Sequence, residues 1–115
     1  MNDWIGLAKA ISDPSRVRIL KMLERGELCV CQMTDALGLA QSTVSKHLAQ
    51  LRQAGLVSDR KQGLWVYYRL CSNSAGPDQR AFLALLRDAL NDDPLIIADG
   101  QASAGCGCQP DEVEP

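Results

Sequence analysis

Aromatic side chains are scarce in this chain: two tryptophans, two tyrosines and one phenylalanine among 115 residues. Any core must therefore be aliphatic. Long apolar runs are also missing. The longest wholly aliphatic stretch near the end is Leu95 to Ala98, far short of the roughly 20 residues that span a bilayer. Met1-Asn2-Asp3-Trp4 has no basic segment leading into an apolar one, so neither a signal peptide nor a membrane span is expected, and the chain reads as cytoplasmic. No serine or cysteine nucleophile stands at useful spacing from a base, so the pattern is not that of an enzyme and needs no catalytic cofactor.

What is present describes one domain of ordinary soluble composition, 46% hydrophobic and 23% charged. The net charge of −2 conceals a split: residues 1–71 carry ten Lys/Arg against six Asp/Glu, and residues 72–115 carry two against eight. The basic part suits nucleic acid, because phosphate binding depends on the local face and not on the total. The acidic end solvates. The expected division is a folded unit over 1–98 and a flexible, acidic, cysteine-containing tail over 99–115.

The organising stretch is 29–57. Val44, Leu48 and Leu51 recur at helical spacing and define one buried stripe. The opposite face carries Gln41, Ser42, Thr43, Ser45 and Lys46, nearly all donors. His47, between Val44 and Leu48, is expected to pack or to touch a phosphate. In the preceding segment Met33, Ala36 and Leu37 face inward, and Gly38 stands where a helix would stop. Two short helices around a tight turn, the second donor-rich outside, form a helix-turn-helix. Ala40 is a weak cap, so Ser42 is a candidate for that role and the start of the second helix is open by a turn.

Upstream, Trp4, Leu7, Ala8 and Ile11 give a first amphipathic helix, and Asp13-Pro14 caps and opens the next. There Val17, Leu20 and Leu23 face the core, while Arg16, Arg18, Lys21 and Arg25 are expected mostly in solvent. Glu27-Leu28-Cys29 has room only for a very short strand. Downstream, Ser58 to Leu70 reads as a hairpin turning at Gln62-Gly63, with Leu64, Val66, Tyr68 and Leu70 on one face of the return and Trp65, Tyr67 and Arg69 on the other. Such a hairpin is a wing, and Arg60 and Lys61 near its tip suit backbone phosphate. Phe82, Leu83, Leu86, Ala89 and Leu90 mark a last helix. The expectation is a mainly α winged helix-turn-helix of about five helices with a small β-hairpin wing. The first and last helices exceed what one core needs, which points to a homodimer built through them.

Five cysteines in a chain with no export signal, as Cys29-Val-Cys31, Cys71 and Cys106-Gly-Cys108, point to metal or redox chemistry more than to a disulfide framework. In a regular helix residues i and i+2 are about 200° apart and cannot grip one ion. At a helix start that constraint relaxes, so Cys29 at the N-cap and Cys31 in the first turn can converge, and the helix N-terminus favours their thiolates.

Lys9 to Leu20 (KAISDPSRVRIL), Glu27 to Cys31 (ELCVC), Gln41 to Leu48 (QSTVSKHL) and Gly63 to Tyr68 (GLWVYY) together resemble the ArsR/SmtB family of metal- and metalloid-sensing repressors, over roughly residues 4–90. The resemblance implies a dimeric winged helix that binds operator DNA when free of effector and releases it on binding. Two positions depart from the family pattern. A third cysteine often follows three residues after the second, and here that residue is Thr34. Members that sense zinc, nickel or cobalt use Asp and His on the last helix, whereas the only histidine here is His47.

A thiolate site is therefore expected at Cys29 and Cys31, for As(III) or Sb(III) first and Cd(II) or Pb(II) second. The third sulfur is open between Cys71, Cys106 and Cys108. Gln41, Ser42, Thr43, Ser45, Lys46 and His47 are assigned to the duplex and Arg60 and Lys61 to its backbone, with two recognition helices implying an inverted-repeat operator. The rival of the same fold is a thiol redox sensor.

Overall fold

The computed structural model describes residues 1–71 and 75–104. Helices α1 (Asn2–Ala10) and α2 (Pro14–Leu23) come first, then strand β1 (Leu28–Cys29), α3 (Val30–Leu37), α4 (Gln41–Gln53), the strands β2 (Val57–Gln62) and β3 (Trp65–Leu70), and finally α5 (Pro77–Arg87) and α6 (Pro94–Ala104). Local chemistry sets these boundaries. The Asp13 carboxylate accepts from the Ser15 and Arg16 backbone N–H groups at 2.8 and 3.3 Å, and Pro14 occupies the first helical position, where an N–H would be idle. Gly38 takes φ +68°, which ends α3 in the left-handed region that glycine enters without cost. Ala40, not Ser42, is the N-cap of α4, and its side chain offers no capping bond. The turn's geometry, and not a capping side chain, starts that helix.

The core is aliphatic as expected. Ile19, Leu20, Met22 and Leu23 of α2 pack with Met33 and Leu37 of α3, with Val44, Leu48 and Leu51 of α4, and with Leu56, Val57 and Tyr68. The wing is one part of a three-stranded antiparallel sheet in the order β1-β3-β2. Leu28 lies opposite Tyr68 and Cys29 opposite Tyr67, so the short strand that carries the first cysteine is stitched to the wing. The hairpin turns at Gly63-Leu64, one residue later than expected, because Gln62 still pairs with Trp65. Tyr67 and Tyr68 point to opposite faces and both are buried.

There are six helices among the described residues, one more than expected. The extra one, α6, runs through the 98/99 boundary drawn for a tail. It also displaces α5 as the last helix and packs within the chain, on α2 and α3. Buried polar groups dock it. Arg18 grips the Asp99 carboxylate with two hydrogen bonds of 2.8 Å, and Gln32 Nε2 donates to the Ser103 carbonyl at 3.2 Å. Gly100 admits the Arg25 side chain so closely that a Cβ there would come within 2.8 Å of its guanidinium carbon.

This packing corrects the reading of α2. Lys21 is buried, not solvated. Its ammonium donates to the Leu86 carbonyl at 2.9 Å and to Asn91 Oδ1 at 3.0 Å, and pairs with Glu24 at 2.8 Å. A buried ammonium needs such partners, since an unpaired one costs several kcal/mol (about 3–5 on breaking a buried pair). Arg16 and Arg18 are half-buried and engaged as well.

A candidate DNA-reading face and thiol site

Helix α4 is sorted cleanly. Val44, Leu48 and Leu51 are buried, and Gln41, Ser42, Thr43, Ser45 and Lys46 are exposed in its first turns. These five polar side chains lie exposed over the first two turns of the helix. His47 is turned inward instead. Its Nδ1 lies 3.2 Å from Arg16 Nη1, and because a guanidinium can only donate, this contact fixes Nδ1 as the acceptor. Arg16 also donates to the Ala10 carbonyl at 2.7 Å and the Lys9 carbonyl at 3.1 Å. One guanidinium thus ties the end of α1 to the middle of α4. This role escaped the sequence reading, and the only signal for it was the position of Arg16 one turn into a capped helix.

The wing residues differ from each other. Lys61 is exposed near the turn. Arg60 folds back toward the sheet, donating to Glu27 at 2.8 and 2.6 Å and to Gln62 at 2.7 Å, with its guanidinium 5.0 Å above the Tyr67 ring. The hydrogen bonds from Arg60, which outweigh the opposing effect of burial, hold the Glu27 carboxyl below its ordinary range. Arg60 is placed to brace the wing, with Lys61 beyond it. Burial, reinforced by the nearby Cys29, raises the Tyr67 phenol above its usual value.

The thiols sit where α3 begins. Cys29 is its N-cap, in extended conformation at φ −84° and ψ 164°, and is 1% exposed. Its N–H donates to Gln32 Oε1 at 2.9 Å while its sulfur faces the Gln32 N–H, so a cysteine and a glutamine close a capping box in which Ser or Thr is usual. The spacing Cys29-x-x-Gln32 was visible in the sequence and went unread. Cys31, half-buried in the first turn, lines a groove of about 280 Å³ together with Gln41 of α4 and Trp65 of β3. It is disulfide-bonded.

Cys71 is not brought to this place. It follows β3 and its N–H donates to the Leu56 carbonyl at 3.0 Å. Cys29 faces Tyr67, four residues earlier, which puts Cys71 about 13 Å away along the strand. Cys106 and Cys108 lie outside the described residues. Among the described residues no three His, Cys, Asp or Glu side chains form a group that could hold a metal ion.

Comparison with known proteins agrees with this geometry. The model of the arsR family of bacterial regulatory proteins matches residues 13–59, from the α2 cap to β2. HlyU from Vibrio cholerae superposes with a TM-score of 0.63 at 37% identity, over 75% of this chain and 89% of that one. The chain belongs to the ArsR family. A second solved neighbour is the homodimeric winged helix-turn-helix DNA-binding domain of a possible ArsR-family transcriptional regulator from Mycobacterium bovis, with a TM-score of 0.64 and 31% identity over 75% of this chain and 76% of that one. Among curated relatives of this ArsR-family chain, the arsenic resistance transcriptional regulator ArsR1 of Pseudomonas putida is 54% identical over 63 residues, which cover 54% of this chain. The chain spans about half the length of that relative, 49%. No helix among the described residues is long and apolar enough to cross a membrane.

Proposed function

We propose that this ArsR-family protein is a transcriptional repressor that holds operator DNA as a homodimer and leaves it when As(III) or Sb(III) binds the thiolates of Cys29 and Cys31. One observation carries the reading: Cys31 opens onto the same groove as the first residue of α4 and the base of the wing turn. A ligand seated there pushes directly on the two elements that touch the duplex. Pulling both sulfurs onto one ion also requires the first turn of α3 to unwind, because Cys31 is already helical. Coupling of about 1–3 kcal/mol gives 5–150-fold release.

Gln41, Ser42, Thr43, Ser45 and Lys46 enter the major groove, and Lys61 meets backbone phosphate while Arg60 stiffens the wing. Trp4 and Leu85 are 58% and 70% exposed on the neighbouring surfaces of α1 and α5. A second copy covers that face, which places two α4 helices on an inverted repeat. The homodimeric M. bovis neighbour and the arsenic-resistance relative support this assembly and effector.

The test is a titration of As(III) into the reduced protein bound to a labelled duplex selected from a random pool. Release at one equivalent per protomer is expected, and a complex indifferent to excess As(III) would overturn the effector. Lys46→Ala should weaken binding about equally for all sequences and flatten the salt dependence by about one unit of slope. Unchanged affinity would move the DNA face off the start of α4.

A second reading keeps the DNA and changes the signal. Cys31 is disulfide-bonded in this structure, which favours oxidation as a trigger. Operator release by peroxide without metalloid, reversed by dithiothreitol, distinguishes it.

A further inference from the structure

Residues 72–115 hold only two basic side chains, Arg80 and Arg87, against eight acidic ones. Both basic ones converge on one region. Arg87 lines a cleft of about 580 Å³ between the end of α2, the end of β3, α5 and α6. Arg80 lines a smaller one of about 180 Å³ that shares Glu24, Leu70 and Arg87 with it. None of the described acidic residues of that segment lines either cleft. Arg25, just past α2, and Arg69 of β3 also border the larger one.

The two carboxylates that line this cleft are engaged. Glu24 gives one oxygen to Lys21 at 2.8 Å, and its other oxygen is buried. Both Glu27 oxygens accept from Arg60, at 2.8 and 2.6 Å. Lys21 is occupied in turn by Glu24, the Leu86 carbonyl and Asn91. Three guanidinium groups are left over. Arg25 and Arg87 have neither a side-chain hydrogen bond nor an ion pair among the described residues, and Arg69 donates only from Nε, to Ser58 Oγ at 3.3 Å. The Arg25 guanidinium is nonetheless held in place, because it lies against Gly100, where a Cβ would come within 2.8 Å of its central carbon. Ile96, Ile97 and Leu70 supply apolar lining. Apolar walls with a few convergent charges, at this volume, make a small-molecule site. Like charges gathered without counter-charge repel, and a multivalent anion relieves all three at once.

The cleft is separate from the duplex-reading residues. Neither Lys61 nor any exposed residue of the first turns of α4 lines it, and Leu70 stands about 17 Å along the strand from Trp65 at the wing turn.

We propose that this cleft binds a small multivalent anion, a polycarboxylate or a phosphate ester, through Arg25, Arg69 and Arg87. Carboxylate and phosphate both match the planar fork of a guanidinium. A ligand that bridges the three arginines ties the wing to α5, the helix that carries part of the proposed dimer face. The repressor thereby gains a second chemical input, independent of its thiols.

Calorimetric titration of reduced full-length protein tests the site at about 0.15 M KCl, where exposed charges are screened beyond about 8 Å. Citrate, glycerol phosphate and acetate are the probes. One citrate or one glycerol phosphate per protomer is expected, at least about tenfold tighter than acetate, and the tighter of the two identifies the source. Arg25→Gln and Arg87→Gln, at exposed positions where the fold tolerates change, should each lose about tenfold. Lys46→Ala should bind the anion as the wild type does. Affinity no better than for acetate, or wild-type affinity in both arginine variants, would overturn the site, as would a matching loss in Lys46→Ala. A flatter salt dependence of operator binding in Arg87→Gln would assign these arginines to the duplex and overturn it as well.

Discussion

Cys29→Ser abolishes As(III)-driven release and leaves operator affinity within about twofold. The two halves of this result have separate causes. Serine is the better helix N-cap, and its hydroxyl oxygen fits the reciprocal arrangement in which Gln32 Oε1 takes the Cys29 N–H at 2.9 Å. The start of α3, and with it the seat of α4, is preserved. The hydroxyl is nonetheless a poor donor for a thiophilic ion at neutral pH, so the metalloid loses one of its bonds to the protein. Release of about 5–150-fold in the wild type should fall to none. Fluorescence anisotropy of the labelled duplex, with and without one equivalent of As(III), measures both halves. Full release in the variant would exclude Cys29, and lost DNA binding would show that its sulfur holds the fold.

Asp99→Ala should undock α6. The carboxylate is 3% exposed and takes both hydrogen bonds from Arg18, which is itself 20% exposed. Breaking such a pair costs about 3–5 kcal/mol when both partners are buried, and the lower end applies here because Arg18 retains contact with water. The Arg18 guanidinium, which the hydrogen bond to Asp99 holds above its ordinary pKa against the opposing effect of burial, stays charged at any accessible pH. Its stranded charge is the penalty. Since α6 packs mainly on α2 and α3 from outside the core, the loss is local: amide exchange over 94–104 should accelerate about 100-fold, the equivalent of about 3 kcal/mol. Exchange at the core helix α4 should change far less. Protection of α6 as in the wild type would mean that Gln32 and Ser103 hold it without the ion pair.

The winged helix-turn-helix was legible because its signals are local. Asp13-Pro14, Gly38 and the spacing of Val44, Leu48 and Leu51 each act within a turn or two, and each element formed where they placed it. The position of Cys29 at the start of α3 was legible for the same reason. Helix α6 was not, because Pro94–Ala104 has no apolar stripe. It is held by Asp99 and Ser103, residues that by themselves resemble solvated tail, and the partner of Asp99 is 81 positions away in sequence. The same long-range pairing explains why Arg18 and Lys21 read as surface charges: nothing near them in the chain announces an acceptor. The inward turn of His47 follows from Arg16, another contact between distant segments.

The bond set of Arg16 bears on which promoters the protein can serve. Its guanidinium spans the Ala10 and Lys9 carbonyls at the end of α1 and the His47 ring in the middle of α4. In a dimer assembled on α1 and α5, this stiff joint transmits the two-fold axis to each reading helix with little slack. Inserting one base pair between half-sites moves the second by about 3.4 Å and turns it around the duplex. On the inverted repeat proposed above, a protein jointed in this way should discriminate operators by the spacer between half-sites.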